Sequence, residues 1–238
     1  MTSIQDYSMI ILFVVYGLTF FVMAGVLWFR LEQTARIGIA GPMVTLVAFA
    51  VLHGISDIVD VVLRLPGYNA SPTGSIAAVR MVFLVASFLF LAVYGALGLI
   101  RDDSVRRSVF VMGMVGLVGI VAAVTALFAE GAAAGSIADA ERATRLYIAL
   151  PGGLLAALAL YRAGQTCGKL GMRQCREGSI VAAAGMVAYA IFAGGIATGY
   201  PEPLRLIGLP IQLYRMGSAA VLTVGIAWML DRMSIGGK

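Results

Sequence analysis

The chain has 238 residues, 61% of them hydrophobic and only 12% charged, with a mean hydropathy of +0.95. Soluble domains carry about 45–50% apolar and ~25% charged residues, so a water-soluble fold of this size is excluded and lipid must cover the surplus apolar surface. The net charge of +5 does not indicate nucleic acid, because the basic residues sit in short loops between apolar runs, where membrane topology accounts for them.

The N-terminus, Met1 to Ser8, carries Asp6 and no Lys or Arg, so no cleavable signal peptide is expected. A transmembrane helix needs about 20 predominantly apolar residues. Seven stretches qualify: 9–29, 40–63, 76–100, 108–129, 144–161, 178–199 and 208–230. The expected fold is all-α, a single seven-helix transmembrane domain over 1–238. One set of loops holds Arg30, Arg36, Arg101, Arg106, Arg107, Arg162, Lys169, Arg173, Arg176, Arg232 and Lys238, eleven of the seventeen basic residues. The opposite loops hold Arg64, Arg142, Arg145 and Arg205, with Arg80 and Arg215 just inside helix ends on that side. The positive-inside bias places the eleven-charge side in the cytoplasm of a bacterial inner membrane, with the N-terminus outside. An odd number of spans preserves that asymmetry.

Small residues should carry the helix packing, since lipid gives helices no hydrophobic reason to associate. Gly113, Gly116 and Gly119 mark one face of span four; Ala182, Gly185, Ala188, Gly194 and Gly195 do the same for span six. Pro42 and Pro210 fall near helix starts, where a missing N–H costs nothing. Pro151, followed by Gly152 and Gly153, lies inside span five and should kink or loosen it. Cys167 and Cys175 share one polar loop at a spacing that fits neither a CxxC redox pair nor a zinc knuckle, and are expected as reduced cytoplasmic thiols.

Span two carries the informative pattern. His53, Asp57, Asp60 and Arg64 are spaced by four, three and four residues, which on a helix forms one stripe within about 40°. His53 is the sole histidine. Intramembrane carboxylates face the bundle interior with a partner, and Arg80 and Arg215 lie at matching depth. Gln212, Tyr147 and Tyr189 could complete a polar network in the outer half of the bundle. Such a network either fixes helix register, as buried ion pairs often do, or forms a site for a ligand, ion or proton. Histidine beside a carboxylate is suited to a protonation switch. A single histidine excludes bis-histidine haem, and no His/Cys/Met cluster supports copper. The twelve methionines are scattered as core filler. Lys169 and Lys238, both outside the spans, leave no lysine for a retinal Schiff base. No phosphate-binding loop, HExxH or nucleophile elbow occurs. No internal repeat marks a transporter, and only span five looks interrupted.

Four segments form a recognisable pattern: YGLTFFVMAG from Tyr16 to Gly25, LHGISD from Leu52 to Asp57, LPGGLLAAL from Leu150 to Leu158, and GLPIQLYR from Gly208 to Arg215. In these the chain resembles the seven-helix N-terminal membrane sensor region of some bacterial sensor histidine kinases. The resemblance spreads over nearly the whole chain, in the family's order, through short motifs. It implies that His53, Asp57, Gln212 and Arg215 occupy characteristic positions. Ile58 departs from the aromatic residue that the family places after the acid. The family's region feeds a cytoplasmic helix and a kinase, whereas this sequence ends at Asp231 to Lys238.

The resulting expectation is a non-enzymatic, sensor-like module. It would bind a small ligand or proton at His53, Asp57, Asp60, Arg80 and Arg215 and signal through span seven to a protein partner in the membrane or cytoplasm. The alternatives are an accessory subunit of a respiratory or photosynthetic complex, and a small transporter or channel. Membrane lipid is the expected surround; no cofactor is expected, and a bound lipid or pigment is left open.

Overall fold

The computed structural model describes residues 4–31, 40–65, 75–100, 102–129, 134–196 and 205–231. In the bilayer core every backbone N–H and C=O must be bonded within its own segment, so apolar runs of this length become helices. Seven follow one another among the described residues. They are α1 (Ile4–Phe29), α2 (Ala40–Arg64), α3 (Ser75–Leu99), α4 (Asp103–Ala129), α5 (134–169), α6 (173–195) and α7 (Ile211–Asp231). Six are long and apolar enough to cross a membrane: α1, α2, α3, α5, α6 and α7.

Those six close into a ring. α1 packs on α2, α2 on α3, α3 on α5, α5 on α6, α6 on α7, and α7 returns to α1. α4 lies outside the ring, packed chiefly on α3, with Val111, Met112, Val115 and Val118 all exposed. The three-glycine face expected there is only partly used. A Cβ at Gly113 would meet Val93 at 2.6 Å, but Gly116 and Gly119 have nothing within 4 Å. Close approach is concentrated between α6 and α7 instead. A Cβ at Gly185 would fall 2.6 Å from the Leu222 nitrogen, and Gly178 and Gly225 are pressed as tightly on Met229 and Ala182. With no Cβ in the way, the two backbones come into contact, which is the source of attraction available to helices in lipid.

The fifth span is longer than expected. Instead of running over 144–161 it continues from Ala134–Thr144 through a π-helical turn, Arg145–Ala149, into Leu150–Lys169. Pro151 explains the π turn. Its ring cannot donate to the ladder and crowds the preceding turn, so the helix widens just before it, with Leu150 N–H bonding to Arg145 O. α6 widens likewise over Ala190–Gly195, and the two π turns pack together where Gly194 abuts Leu150 and Gly153 abuts Ala190.

Between α5 and α6 the chain reverses at Leu170 and Gly171, the latter at φ +73°. This turn corrects the free-thiol expectation. It brings Cys167 and Cys175 to a Cα separation of 5.8 Å, and their sulfurs are joined as a disulfide, buried at the hairpin's end. The distance suits a disulfide, which spacing along the sequence could not show. A two-residue β-hairpin, Arg205–Leu206 with Leu209–Pro210, leads into α7, and Tyr214 anchors it by donating to the Leu206 carbonyl at 2.9 Å. The basic residues Arg36, Arg101, Arg232 and Lys238 lie outside the described residues.

Candidate functional site

α1 and α2 cross where Gly17 meets Gly54. A Cβ on Gly17 would stand 3.2 Å from both the Asp57 Cβ and the Gly54 carbonyl oxygen. That close crossing lets Tyr16 on α1 and the polar stripe of α2 reach the bundle interior together. His53, Asp57 and Asp60 are all buried, as the stripe predicts. Arg64 departs from it. It is half-buried, and its guanidinium lies 4.6 Å over the Phe13 ring of α1 rather than among the other charges.

The charges separate into two groups. The first is a ladder running across three helices. Arg80 Nε lies 2.8 Å from Asp60 Oδ1, an ionic contact outside good hydrogen-bond alignment. Arg80 also grips Glu141 with both terminal nitrogens, Nη1 to Oε2 at 2.7 Å and Nη2 to Oε1 at 3.3 Å. Arg145 then binds Glu141 Oε1 through Nε at 2.9 Å and Nη2 at 2.8 Å. Asp60, Arg80, Glu141 and Arg145 thus alternate in sign and sum to zero. This forked geometry is what makes buried charge tolerable in a low-dielectric interior. Arg80 is the partner the sequence suggests. Glu141 was overlooked because span five was started at 144, ten residues after α5 begins, and Arg145, at the edge of that expected span, was taken as a loop charge. Their i, i+4 spacing ahead of an apolar run was the available signal.

Outside the ladder lie the charged Asp57 and Arg215 and the uncharged Gln212. Arg215 was expected to pair with a stripe carboxylate and does not. Its Nε donates to the Phe192 carbonyl at 2.7 Å and its Nη2 approaches the Ile196 carbonyl at 3.4 Å, while Arg145 Nη1 takes the Ala193 carbonyl at 3.0 Å. These are the carbonyls that the π-helical end of α6 leaves open, and the negative end of the helix dipole favours guanidinium there. Asp57 makes no ion pair among the described residues, and its Oδ2 has no hydrogen-bond donor. Gln212 Oε1 is likewise without a donor. Both residues are only 4% exposed.

His53 is held differently from the expected carboxylate pairing. Its ring sits in an aromatic box of Tyr16, Phe20, Phe49, Phe88 and Tyr189, with centroids 4.6 to 6.1 Å away. Nδ1 lies 2.9 Å from Ser87 Oγ, whose own proton goes to the Leu84 carbonyl at 2.7 Å. A carbonyl can only accept, so Ser87 must accept from His53 Nδ1–H. Nε2 is then the acceptor for the Tyr189 hydroxyl at 2.8 Å. Tyr16 packs edge-on against the same imidazole ring. Tyr189 therefore joins the network as expected, Tyr16 and Ser87 were missed, and Tyr147 does not join, being 74% exposed. Among the described residues no three His, Cys, Asp or Glu side chains gather as a metal site.

The chain matches no family model, no curated protein and no solved structure.

Proposed function

We propose that the chain is a non-enzymatic, sensor-like module of seven membrane spans, with its N-terminus outside and its C-terminus in the bacterial cytoplasm. In this reading the buried polar core receives a small ligand, and α7 transmits the result to a protein partner. The supporting observation is the pair of buried acceptors without a donor, Asp57 Oδ2 and Gln212 Oε1, in the bundle interior. A buried polar atom left without a partner costs about 1–3 kcal/mol, which a binding partner would recover. α7 carries Gln212 and Arg215 at one end and Asp231 at the other, about 30 Å away at 1.5 Å per residue. There Asp231 lies 3.2 Å from Arg30, just past the end of α1, so a shift of α7 at the site would disturb a contact at the opposite end.

A second reading, an accessory subunit of a larger membrane complex, draws on α4. That helix packs chiefly on α3 and exposes Val111, Met112, Val115 and Val118. Gentle extraction from the native membrane, with identification of whatever stays bound, tests the two. A lone protein, or one with a kinase, supports the sensor. A stoichiometric set of complex subunits replaces it with the accessory role. Flux into proteoliposomes would instead support a small transporter or channel.

A further inference from the structure

The chain enters α7 through the hairpin of Arg205–Leu206 with Leu209–Pro210, in which Leu206 pairs with Leu209. The two residues between the strands both have positive φ, Ile207 at 51° and Gly208 at 78°, the pattern of a type I′ turn. Glycine adopts that backbone freely, and asparagine or aspartate is the ordinary choice ahead of it. A β-branched residue is poorly suited to it, because its Cβ crowds the following carbonyl oxygen and the branch adds to the crowding. Among the described residues Ile207 is the only non-glycine with positive φ. Packing on the bundle gives it nothing in return. Ile207 is 89% exposed, and Leu209, at the start of the second strand, 50%. A strained position thus displays an apolar side chain where water would be the worst surround for it.

The hairpin's place in the fold decides what can cover that tip. α7 runs over Ile211–Asp231, 21 residues and about 30 Å at 1.5 Å per residue, which matches the ~30 Å hydrocarbon core of a bilayer. With α7 crossing the membrane, no spare turn of helix lifts the hairpin into water, for Pro210 adjoins Ile211, the first residue of the span. The hairpin is also folded back on the helix. Tyr214, one turn into α7, donates its hydroxyl to the Leu206 carbonyl at 2.9 Å, and its ring lies 5.2 Å from that of Phe192 on α6. The tip is thereby held beside the end of the bundle at the level of the lipid interface, where a tyrosine with a bonded hydroxyl is at home.

We propose that the hairpin tip, Ile207 with Leu209, is an interfacial anchor that inserts among the phospholipids of the leaflet at the start of α7. The positive-φ turn directs the isoleucine away from the bundle, and lipid supplies the apolar surround that the protein does not. The anchor fixes the depth of α7 from its N-terminal end, and it stands whether or not the buried core receives a ligand.

Spin labelling of the full chain in phosphatidylcholine–phosphatidylglycerol nanodiscs tests this. A nitroxide on Ile207→Cys, in a Cys167→Ser, Cys175→Ser background, should collide more often with oxygen, which concentrates in lipid, than with a water-soluble nickel chelate. Val224→Cys, midway along α7 and 61% exposed, gives the lipid reference, and Asp103→Cys, whose native side chain is 94% exposed, the aqueous one. A reading at 207 closer to that of Val224 supports the anchor. One closer to that of Asp103 overturns it and leaves the tip to a water-soluble partner. Ile207→Asn suits the turn but removes the apolar tip, so a label on Leu209→Cys should become severalfold more accessible to nickel when it is added. No change at Leu209 overturns the anchoring role of Ile207. If Ile207→Cys fails to fold, the Leu209 label decides alone, oxygen preference supporting the anchor and nickel preference overturning it.

Discussion

Asp60 and Asp57 stand three residues apart on α2, equally buried, and are treated in opposite ways. Asp60 is the end of a four-charge ladder whose members come from α2, α3 and α5, each gripped at 2.7 to 2.9 Å. Asp57 has a neighbouring backbone pressed against its Cβ and no donor on its Oδ2. The contrast separates what a buried carboxylate can do for a fold from what it can do for a ligand. A ladder closed on itself sets the register of three helices and has nothing left to offer a ligand. An acceptor that the fold leaves unfilled contributes nothing to register, so holding it there is costly unless something else fills it.

Removing the centre of the ladder should give the largest effect. Arg80→Gln leaves Asp60 and Glu141 buried without their shared cation and should cost about 3–5 kcal/mol. A lowered midpoint in thermal unfolding of the detergent-solubilised protein would show it. Wild-type stability would mean that the ladder does not hold the helices.

The far end of the α5–α6 hairpin provides a reference remote from both groups. Cys167→Ser with Cys175→Ser removes the disulfide and, for a loop this short, should cost about 2.5 kcal/mol under oxidising conditions and nothing in a reductant. The same pair tests sidedness. Disulfides persist in oxidising compartments, whereas the positive-inside expectation drawn from Lys169, Arg173 and Arg176 would put this turn in the cytoplasm. Thiol labelling of intact cells, with and without prior reduction, determines which argument holds.

Tyr189→Phe takes the donor from His53 Nε2 and should cost about 1–3 kcal/mol. The histidine's nitrogen-15 shifts should report a changed tautomer population, and unchanged shifts would break the hydrogen-bond direction assigned here.

Asp57→Asn, by contrast, loses no ion pair and should change stability by less than about 1 kcal/mol while abolishing ligand response. If it destabilises the protein as much as Arg80→Gln, the two carboxylates are alike and the distinction between ladder and site falls.

The smallest effect belongs to the start of α4, where Asp102 accepts from the Ser104 hydroxyl and from the Ser104 and Val105 amides. Those hydrogen bonds, the Ser104 hydroxyl first, hold its carboxyl below the usual carboxylate range. The cap is complete above the ordinary aspartate pKa and is lost as pH falls through the depressed one. Asp102→Ala should fray the first turn of α4 at neutral pH, seen as faster amide exchange there, with the ring of six untouched.

Much of this was legible in the residues. Hydrophobic runs locate every helix, because a membrane span is a matter of length and composition that needs no knowledge of neighbours. The period of the polar stripe likewise turned His53, Asp57 and Asp60 inward before any packing was known. Pro151 announced a disturbed fifth span, though only its three-dimensional setting shows that the disturbance is a π turn serving to place Arg145. What the sequence left undecided was pairing. Arg80 and Arg215 stood at equal depth as partners for the stripe, and the choice between them depends on which helix neighbours α2. α3 does, so Arg80 meets Asp60; α7 approaches through α1 and α6, so Arg215 finds backbone carbonyls instead. The disulfide, the exclusion of Arg64 and Tyr147 from the core, and the inclusion of Glu141 have the same origin. Burial along one helix follows from its own periodicity, whereas contact between helices depends on ring order and close approach at glycines, which arise only when the whole chain packs.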